Sequence, residues 1–212
     1  MSLELDGVTI TLHGQPLVQG LTARVAPGDV LAVMGASGSG KSTLLAWMCG
    51  TLGAPFEASG RLVLEGREVQ QLPIEQRRVG LLFQDDLLFP HMTVNDNLLF
   101  ALPPGPRAER RHGVEAALAS AGLEGFGPRR PASLSGGQRA RVSLLRAVLA
   151  QPVALLLDEP FSRLDAALRE HFRSWVWAQV RAQRLPTVLV THDAADVPAG
   201  AQVIRLTGSA HA

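Results

Sequence analysis

A glycine-rich segment at residues 35–42 has the residue types and the spacing that hold a phosphate group. It reads Gly-Ala-Ser-Gly-Ser-Gly-Lys-Ser and follows the apolar run 30–34. Glycines in this pattern let successive backbone N–H groups converge on phosphate oxygens, Lys41 reaches the β- and γ-phosphates, and the Ser42 hydroxyl ligates magnesium. An ordinary glycine turn is the alternative, and the strand before and the helix after the segment disfavour it. The predicted nucleotide-binding residues are Gly35, Ala36, Ser37, Gly38, Ser39, Gly40, Lys41, Ser42 and Thr43.

Two adjacent carboxylates, Asp158 and Glu159, close a second apolar run, 153–157. Successive residues of a strand face opposite ways, so only one of the two would naturally meet a metal ion at the strand end. We expect Asp158 to join the magnesium shell through water and Glu159 to polarise the water that attacks the γ-phosphate. On their own, two such carboxylates would more simply cap a turn before Pro160. Beside a phosphate-binding loop, the catalytic interpretation is favoured.

The elements that must position these residues are strands of a parallel sheet. Three runs are apolar nearly throughout, which is typical of strands covered on both faces by helices: 30–34, 153–157 and 187–191. In open sheets of this kind, ligands bind at the carboxyl ends of the strands. The glycine-rich loop, Asp158 and His192 all stand directly after such runs, so the sequence predicts one site at this edge.

Two further regions have a different pattern. Residues 3–12 alternate as a half-buried strand does, and residues 61–65 predict another strand in an antiparallel hairpin. The stretch from 85 to 151 carries helical spacing and turn-rich breaks. Within it, residues 138–150 predict a long helix. We expect a mostly helical subdomain inserted between two pieces of an α/β core.

Composition narrows the functional classes. The 20 Lys and Arg against 19 Asp and Glu give a formal charge of +1, which argues against a general electrostatic grip on nucleic acid or anionic lipid. The single cysteine, Cys49, excludes an internal disulfide framework or a zinc site of paired thiols. No apolar run approaches the roughly 20 residues needed to span a bilayer, and the N-terminus does not read as a secretory signal. We expect a soluble α/β protein whose unassigned arginines are solvated charges: Arg77, Arg78, Arg107, Arg110 and Arg111.

The pentapeptide LSGGQ at residues 134–138 resembles the signature of the ATP-binding cassette (ABC) ATPases. Other matching pieces follow in that family's order. Gln84 resembles the Q-loop glutamine, residues 162–165 resemble the D-loop, and His192 resembles the H-loop histidine. The resemblance extends over about residues 3–207.

This resemblance implies an α/β fold of the P-loop NTPase (RecA-like) type. A mostly parallel sheet would carry an N-terminal antiparallel β part and an inserted helical subdomain. A single ABC ATPase domain is expected over residues 1–212. Its ATP-binding core would comprise residues 1–84 and 152–208, and the helical subdomain with the signature would comprise residues 85–151.

The resemblance also implies roles for individual residues, with ATP and Mg²⁺ as cofactors. The implied catalytic residues are Glu159, His192, Gln84 and Lys41, and the implied metal ligands are Ser42, Gln84 and Asp158. In a head-to-tail homodimer, the signature of one copy would cover the γ-phosphate held by the P-loop of the other. The implied signature contacts are Ser135, Gly136, Gly137 and Gln138.

The sequence departs from the family at the adenine base. Family members usually place an aromatic residue, often tyrosine, near the end of the first strand, and this chain has no tyrosine. His13 stands at the corresponding position, where it would stack weakly or simply occupy an exposed loop. We therefore expect looser discrimination between bases, with affinity resting on the phosphates.

The implied function is that of an ATP-hydrolysing transporter subunit, of bacterial importer type, that dimerises on ATP and drives a separate transmembrane permease. Residues 85–99 mix Leu and Phe with carboxylates, as a groove for a permease helix would, and residues 134–165 look especially like the small YnjD-type subfamily. A location at the cytoplasmic face of the inner membrane and an extracytoplasmic substrate-binding protein in the same system are also implied, with no direct nucleic-acid contact. The alternatives are an export cassette for lipoproteins or drugs, a non-transport ABC ATPase acting on DNA or ribosomes, and a small-molecule P-loop kinase.

Overall fold

The computed structural model describes residues 2–83, 87–162, 164 and 166–207. Its contacts divide the chain into two compact units. The first consists of Met1–Leu81, Val153–Glu159 and Gln179–Ala212, and the second of Leu82–Pro152 and Pro160–Ala178. Within the described ranges, no helix is both long enough and apolar enough to cross a membrane.

The strands form two sheets. In chain order they are β1 (Leu3–Leu12), β2 (Gln15–Val25), β3 (Val30–Gly35), β4 (Phe56–Leu64), β5 (Arg67–Glu68), β6 (Val79–Leu82), β7 (Ala154–Asp158), β8 (Thr187–Thr191) and β9 (Gln202–Leu206). One sheet has the order β2-β1-β4-β5, and the other has the order β6-β7-β8-β3-β9. The combination of an antiparallel N-terminal sheet and a parallel main sheet is confirmed.

Tight hairpins join the strands of the antiparallel sheet. His13 and Gly14 connect β1 to β2, and Glu65 and Gly66 connect β4 to β5. All four residues have positive φ, from 50° to 79°. Two-residue loops of this conformation match the right-handed twist of the flanking strands, so they fix the register of each hairpin.

The parallel sheet has three strands that are buried on both faces, β3, β7 and β8. β3 pairs with β8 and β9, and β7 pairs with β8, all in parallel register. One face packs into an apolar core with the antiparallel sheet and with α1 (Lys41–Cys49). A short helix, α2 (Ile74–Arg77), precedes β6. Because the strands run in the same direction, their carboxyl ends meet at one edge.

The second unit is helical. It contains α3 (Val94–Ala101), α4 (Arg107–Ser120), α5 (Gly136–Leu149) and the first thirteen residues of α6 (Ala166–Ala182). Its apolar core includes Val94 and Leu98 of α3, Val114 of α4, and Val142 and Leu145 of α5. Amphipathic helices of this kind are stable because their apolar stripes are buried against one another.

Residues 160–178 cluster with the second unit, although the sequence analysis assigned them to the ATP-binding core. The Phe161 ring meets Phe172 and Trp177 edge-on, with centroids 6.0 and 5.8 Å apart. Trp175 packs against the apolar core of the second unit. Such aromatic pairs form across long stretches of chain, and periodicity along the sequence does not show them.

Candidate nucleotide site

The glycine-rich loop leaves β3 at Gly35 and enters α1 at Lys41. Gly38 and Gly40 have φ of +78° and +92°, a left-handed conformation that residues with side chains rarely adopt. A Cβ atom on Gly35 would lie 2.5 Å from Ser39 Oγ and 2.6 Å from the carbonyl oxygen of Leu206. The path of the loop therefore requires glycine at these positions, and the loop ends at a helix N-terminus that favours anions.

Lys41 is held against the start of the loop. Its side chain is buried, and the residue is 6% exposed. The ammonium Nζ donates to the carbonyl oxygen of Gly35 at 2.9 Å and to that of Ala36 at 2.8 Å. An ammonium group has three donors, so the third can meet a phosphate oxygen.

Asp158, the last residue of β7, accepts a hydrogen bond from the hydroxyl of Ser42 in the first turn of α1. Burial raises the pKa of Asp158 above its ordinary value of 3.8, and the charge of Glu159 adds to this effect, whereas Ser42 and the charge of Lys41 oppose it. The ionised carboxylate is thus disfavoured where it stands. A cation beside it would favour ionisation.

Glu159 turns in a different direction. It adopts a left-handed conformation with φ of +46°, and its N–H donates to the carbonyl oxygen of Val190 at 2.9 Å. Its Oε1 lies 3.1 Å from Nδ1 of His192. The side chain of His192 is 64% exposed and that of Glu159 is 23% exposed. The two neighbouring carboxylates therefore have separate partners.

The loop that carries His192 is fixed on both sides. Thr191 Oγ1 donates to Asp196 Oδ2 at 3.0 Å and accepts from the N–H of Asp193 at 3.1 Å. Asp193 Oδ1 accepts from the N–H of Ala195 at 2.9 Å. Asp193 and Asp196 were not among the residues predicted from the sequence. Their positions could have been recognised, because two aspartates that flank a single turn directly after a strand often bond to nearby backbone N–H groups.

These groups fit a magnesium–nucleotide ligand. Mg²⁺ prefers hard oxygen ligands and usually takes one or two carboxylates together with phosphate oxygens and water, and Ser42 and Asp158 offer a hydroxyl and a carboxylate side by side. Ser39 Oγ, in the loop itself, is buried and has no hydrogen-bond partner among the described residues. Among all the residues that the structure describes, no three or more His, Cys, Asp or Glu side chains form a group that could hold a metal ion.

Leu17 lies against the loop, a contact that was not predicted from the sequence. A Cβ atom on Gly40 would be 3.1 Å from Leu17 Cβ. A groove of about 360 Å³ between β2 and β9 begins at this point. His13 is exposed at the tip of the β1–β2 hairpin, and its stacking on a base stays a prediction.

The signature segment forms a capped helix start in the second unit. Ser135 Oγ accepts from the N–H of Gln138 at 3.3 Å, and Gln138 Oε1 accepts from the N–H of Ser135 at 2.9 Å. This reciprocal capping lets α5 begin at Gly136, two residues earlier than predicted. A Cβ atom on Gly136 would have no neighbour closer than 3.9 Å, so the positive end of the helix is accessible.

One edge of the parallel sheet gathers the predicted catalytic and metal-binding residues that the structure describes: Lys41, Ser42, Asp158, Glu159 and His192. The signature residues 135–138 belong to the second unit. Gln84, predicted as a catalytic residue and metal ligand, lies outside the described residues. The D-loop positions 163 and 165 lie outside them as well.

A glycine-rich loop, paired carboxylates and a histidine on the edge of one parallel sheet, with a capped signature helix, define a class of nucleotide-binding cassettes. Residues 18–162 match the family described as ABC transporter. The chain belongs to this family.

Named relatives make the resemblance more specific. The chain is 52% identical over 201 residues to the uncharacterized ABC transporter ATP-binding protein YnjD of Escherichia coli, covering 94% of this chain and 93% of that protein. It is 40% identical to the sulfate/thiosulfate import ATP-binding protein CysA of Gloeobacter violaceus, covering 91% of this chain and 56% of that protein. It is 42% identical to the spermidine/putrescine import ATP-binding protein PotA of Oleidesulfovibrio alaskensis, covering 90% and 51%. The chain thus spans nearly all of YnjD and about half of the two import proteins.

Among solved structures, the chain resembles the ATP-binding cassette MJ0796. The TM-score is 0.82 at 27% identity, covering 96% of this chain and 94% of that chain. That structure is dimeric, represents a post-hydrolysis state, and is bound to ADP and Pi. The similarity confirms the predicted fold class.

Proposed function

We propose that this chain is the Mg²⁺-dependent ATPase subunit of an ABC importer. Two copies close on ATP, hydrolysis reopens them, and a separate transmembrane permease carries the cargo. The observation that carries the proposal is the separation of the two carboxylates, with Asp158 bonded to Ser42 and Glu159 beside His192. This arrangement supplies a metal position and a general base at the end of a phosphate-binding loop.

The chemistry follows from the positions of these side chains. The loop and Lys41 hold the β- and γ-phosphates. Ser42 would hold Mg²⁺ directly and Asp158 would hold it through water, and the bound ion would supply positive charge beside the phosphate oxygens. Glu159 accepts a proton from the water whose oxygen attacks the γ-phosphorus. The bond from this phosphorus to the β–γ bridging oxygen then breaks, which yields ADP and phosphate.

His192 and Gln84 complete the proposed catalytic set. His192 orients the Glu159 carboxylate through Nδ1, at 3.1 Å, and its other ring nitrogen can donate to a γ-phosphate oxygen when the ring is protonated. Gln84 would reach the metal ion or the attacking water through its amide. General-base catalysis contributes roughly 10² to 10⁴ in rate, so Glu159 is the residue whose loss should matter most for the chemical step.

The proposed dimer is head-to-tail. The start of α5 would face the γ-phosphate held by the other copy. Its Ser135 is exposed, Gly136 and Gln138 are half-buried, and Gly137 is buried. Its helix N-terminus and its hydroxyl suit an anion, and the similar cassette MJ0796 is dimeric. A closed two-fold pair would contain two ATP sites, each built from both copies.

The proposed permease contact is an exposed apolar patch, defined as the exposed Leu87 and Phe100 with the half-buried Phe89. Leu87 is 55% exposed and Phe100 is 66% exposed, and the Phe89 and Phe100 rings meet edge-on at 5.1 Å. A patch of this kind suits a partner's amphipathic helix. A permease bound here would place the chain at the cytoplasmic face of the inner membrane. The names of the import relatives support import, which would add an extracytoplasmic substrate-binding protein.

Nucleotide binding can be followed at the loop itself, because Lys41 is the only lysine in the sequence. Reductive methylation labels ε-amines and the N-terminal amine. We expect Mg²⁺ and ATP to slow labelling of Lys41 while leaving the N-terminal amine unaffected, and the purified chain to release phosphate from ATP. Equal labelling of Lys41 with and without ATP would contradict the site.

The transport role needs a separate test. A tagged chain recovered from the membranes of its own organism should co-purify with integral membrane subunits, and Phe100→Asp should abolish that recovery while phosphate release persists. Val203→Asp is the matched control, because Val203 is an exposed apolar residue of the first unit. Recovery of no membrane subunit by the unsubstituted chain would refute the transport role and leave the ATPase assignment standing.

A further inference from the structure

Arg146 connects the signature helix to a distant part of the second unit. It lies 11 residues after Ser135, about 16 Å along α5. Its Nη1 donates to the carbonyl oxygen of Leu87 at 2.8 Å, and its guanidinium carbon lies 5.5 Å from the centroid of the Phe89 ring. Burial lowers the pKa of this arginine below its ordinary value. The half-buried guanidinium of Arg146 therefore contacts Leu87 and Phe89, two residues of the exposed apolar patch.

The patch is also fixed from a second side. Asn97 of α3 is fully buried, its Oδ1 accepts from the N–H of Phe89 at 2.8 Å, and its Nδ2 donates to the carbonyl oxygen of Phe89 at 3.2 Å. Leu87 has a φ of +44°, a costly conformation for a residue with a side chain. The backbone at residues 87–89 is thus held in one defined conformation by α3 and α5 together.

We propose that Arg146 is a positioning residue that couples the exposed apolar patch to the start of the signature helix. A partner that displaces Leu87 or Phe89 displaces the guanidinium and, through α5, the capped turn at Ser135. The inference rests on the proposed function only for the identity of that partner. The coupling itself is a property of the second unit and is measurable in the chain alone.

Arg141 provides a matched control on the same helix. It too is half-buried, and its Nη1 donates to a backbone carbonyl, that of Ala121 at the end of α4, at 2.8 Å. Burial lowers its pKa as well. Arg141 therefore shares the helix, the side chain and the type of bond with Arg146. Its hydrogen bonds within the described residues go to the carbonyl oxygens of residues 121, 122 and 137 and not to the patch. If arginines of α5 served only to stabilise the helix, substitution of Arg146 and substitution of Arg141 should have the same effect.

The test is a double-mutant cycle read by amide hydrogen exchange at residues 136–141. Phe100→Ala removes the edge contact to Phe89 at an exposed position. We expect it to change exchange in the first turns of α5 by a factor of about three or more, the size of a weak interaction between residues in contact. In the Arg146→Lys background that change should vanish, because lysine keeps the charge but loses the planar fork. In the Arg141→Lys background it should persist.

The outcomes separate the coupling from the transport role. Persistence of the Phe100→Ala effect in the Arg146→Lys background, or no effect of Phe100→Ala at all, would overturn the coupling. Coupling measured in a chain that releases no phosphate and recovers no membrane subunit would leave it standing and refute the proposed function. If Arg146→Lys does not fold, Leu87→Gly perturbs the same link from its other end. Glycine tolerates the φ of +44° but also adopts many other conformations, so the carbonyl that Arg146 contacts is held less firmly. We then expect the Phe100→Ala effect to fall.

Discussion

Glu159 differs from Asp158 in both backbone and partner, although the two are adjacent in the chain. A non-glycine residue in the left-handed region costs about 1–3 kcal/mol, and such residues cluster at functional sites. Here the positive φ of Glu159 turns its carboxylate toward His192, while Asp158 stays with Ser42. The left-handed backbone of Glu159 therefore accompanies a separate partner for each carboxylate.

Glu159→Gln should reduce phosphate release by about 100-fold or more, because glutamine cannot accept the proton of the attacking water. ATP binding should be retained, since the phosphates are held by the glycine-rich loop and Lys41. Single-turnover phosphate release and equilibrium nucleotide binding measure the two effects separately. Glu57→Gln, at an exposed position in β4, is the control. Release at the unsubstituted rate would exclude Glu159 as the base.

Asp158→Asn tests how far the buried, ionised carboxylate lowers the stability of the fold. The pKa of Asp158 is raised in the folded chain, so its ionisation weakens folding. This unfavourable contribution is complete above the raised pKa and disappears as the pH falls below the ordinary value of 3.8. Without nucleotide, the variant should unfold at an equal or higher temperature than the unsubstituted chain at neutral pH, with the difference vanishing in acid.

ATP should raise the melting temperature of the protein, and Mg²⁺ should raise it further. Asp158→Asn should remove this further increase, since the amide is a poorer ligand for the cation. Melting curves with ATP alone, and with ATP and Mg²⁺, isolate this term. Ser42 can still donate to the asparagine oxygen, which keeps the local hydrogen bond. A variant that is less stable without nucleotide at neutral pH would show that the carboxylate supports the fold rather than the metal.

At the scale of elements, α1 joins the glycine-rich loop to a buried arginine at its other end. Gly40 caps its N-terminus in a left-handed conformation without a side-chain hydrogen bond. At the C-terminus, Nη1 of Arg77 donates to the carbonyl oxygens of Trp47 and Met48 at 2.8 and 3.1 Å. A cation at this end also opposes the negative pole of the helix. Arg77 therefore fixes the helix from which Lys41 and Ser42 project.

The prediction that Arg77 is a solvated charge was wrong, since the residue is 7% exposed. Its other nitrogens donate to the carbonyl oxygens of Leu72 and Gln70 at 2.9 and 2.7 Å. Arg110 departs from that prediction in a similar way, because its Nη2 donates to the carbonyl oxygens of Leu99 and Leu102 at the end of α3. An arginine can be buried when backbone carbonyls satisfy its donors, and neither hydropathy nor spacing shows which carbonyls will surround it.

Arg77→Met should lower the free energy of unfolding by about 3 kcal/mol, because it leaves several buried carbonyls without a donor. Urea unfolding measures this change through the midpoint of the transition. Arg78→Met is the matched control, at an exposed neighbouring residue, and should change stability little. Equal effects at the two positions would mean that the carbonyls at the end of α1 find other partners.

The strands that carry the site were predictable because they are apolar on both faces. The run 187–191 became β8 without a change of bounds. β2 was not predicted, since Pro16 and Gly20 interrupt its alternation and its position depends on the His13–Gly14 turn. β9 was missed too, because it lies at the edge of the sheet and mixes exposed and half-buried residues. Pairing with distant strands fixes both elements, and a local pattern does not contain that information.

The candidate site was predictable in its residue types but not in its contacts. The sequence indicated that Asp158 and Glu159 would separate, whereas the pairing of Glu159 with His192 depends on the register of β7 with β8. The role of Leu17 beside Gly40 likewise depends on how the two sheets pack. Motif spacing identifies which groups gather at an edge, and tertiary packing decides which groups touch.

At the scale of the whole molecule, both units carry a helix N-terminus suited to a phosphate group. The first unit has the start of α1 with its glycine-rich loop, and the second has the capped start of α5. In the proposed head-to-tail dimer, each ATP site takes the loop from one copy and the signature from the other. Damage to the loop of one copy and damage to the signature of the other copy therefore fall on the same site and leave the second site intact.

This geometry makes a prediction about mixed dimers. Lys41→Ala should lose most nucleotide affinity. Gly136→Asp should fold, because the position has room for a side chain and an acidic residue suits the first turn of a helix, yet its charge repels the γ-phosphate. Each variant alone should be inactive. In a mixture, random pairing makes half of the dimers mixed, and each mixed dimer has one undamaged site of two, so about a quarter of the activity should return if the sites act independently.

The measurement is single-turnover phosphate release after the two variants are mixed without nucleotide and then given Mg²⁺ and ATP. Each variant mixed with itself at the same total concentration is the control. Recovery of activity in the mixture requires that the loop of one chain and the signature of the other build a single site. A mixture as inactive as its parents, formed from variants that still exchange partners, would instead mean that each chain completes its own site, and the proposed head-to-tail arrangement would have to be abandoned.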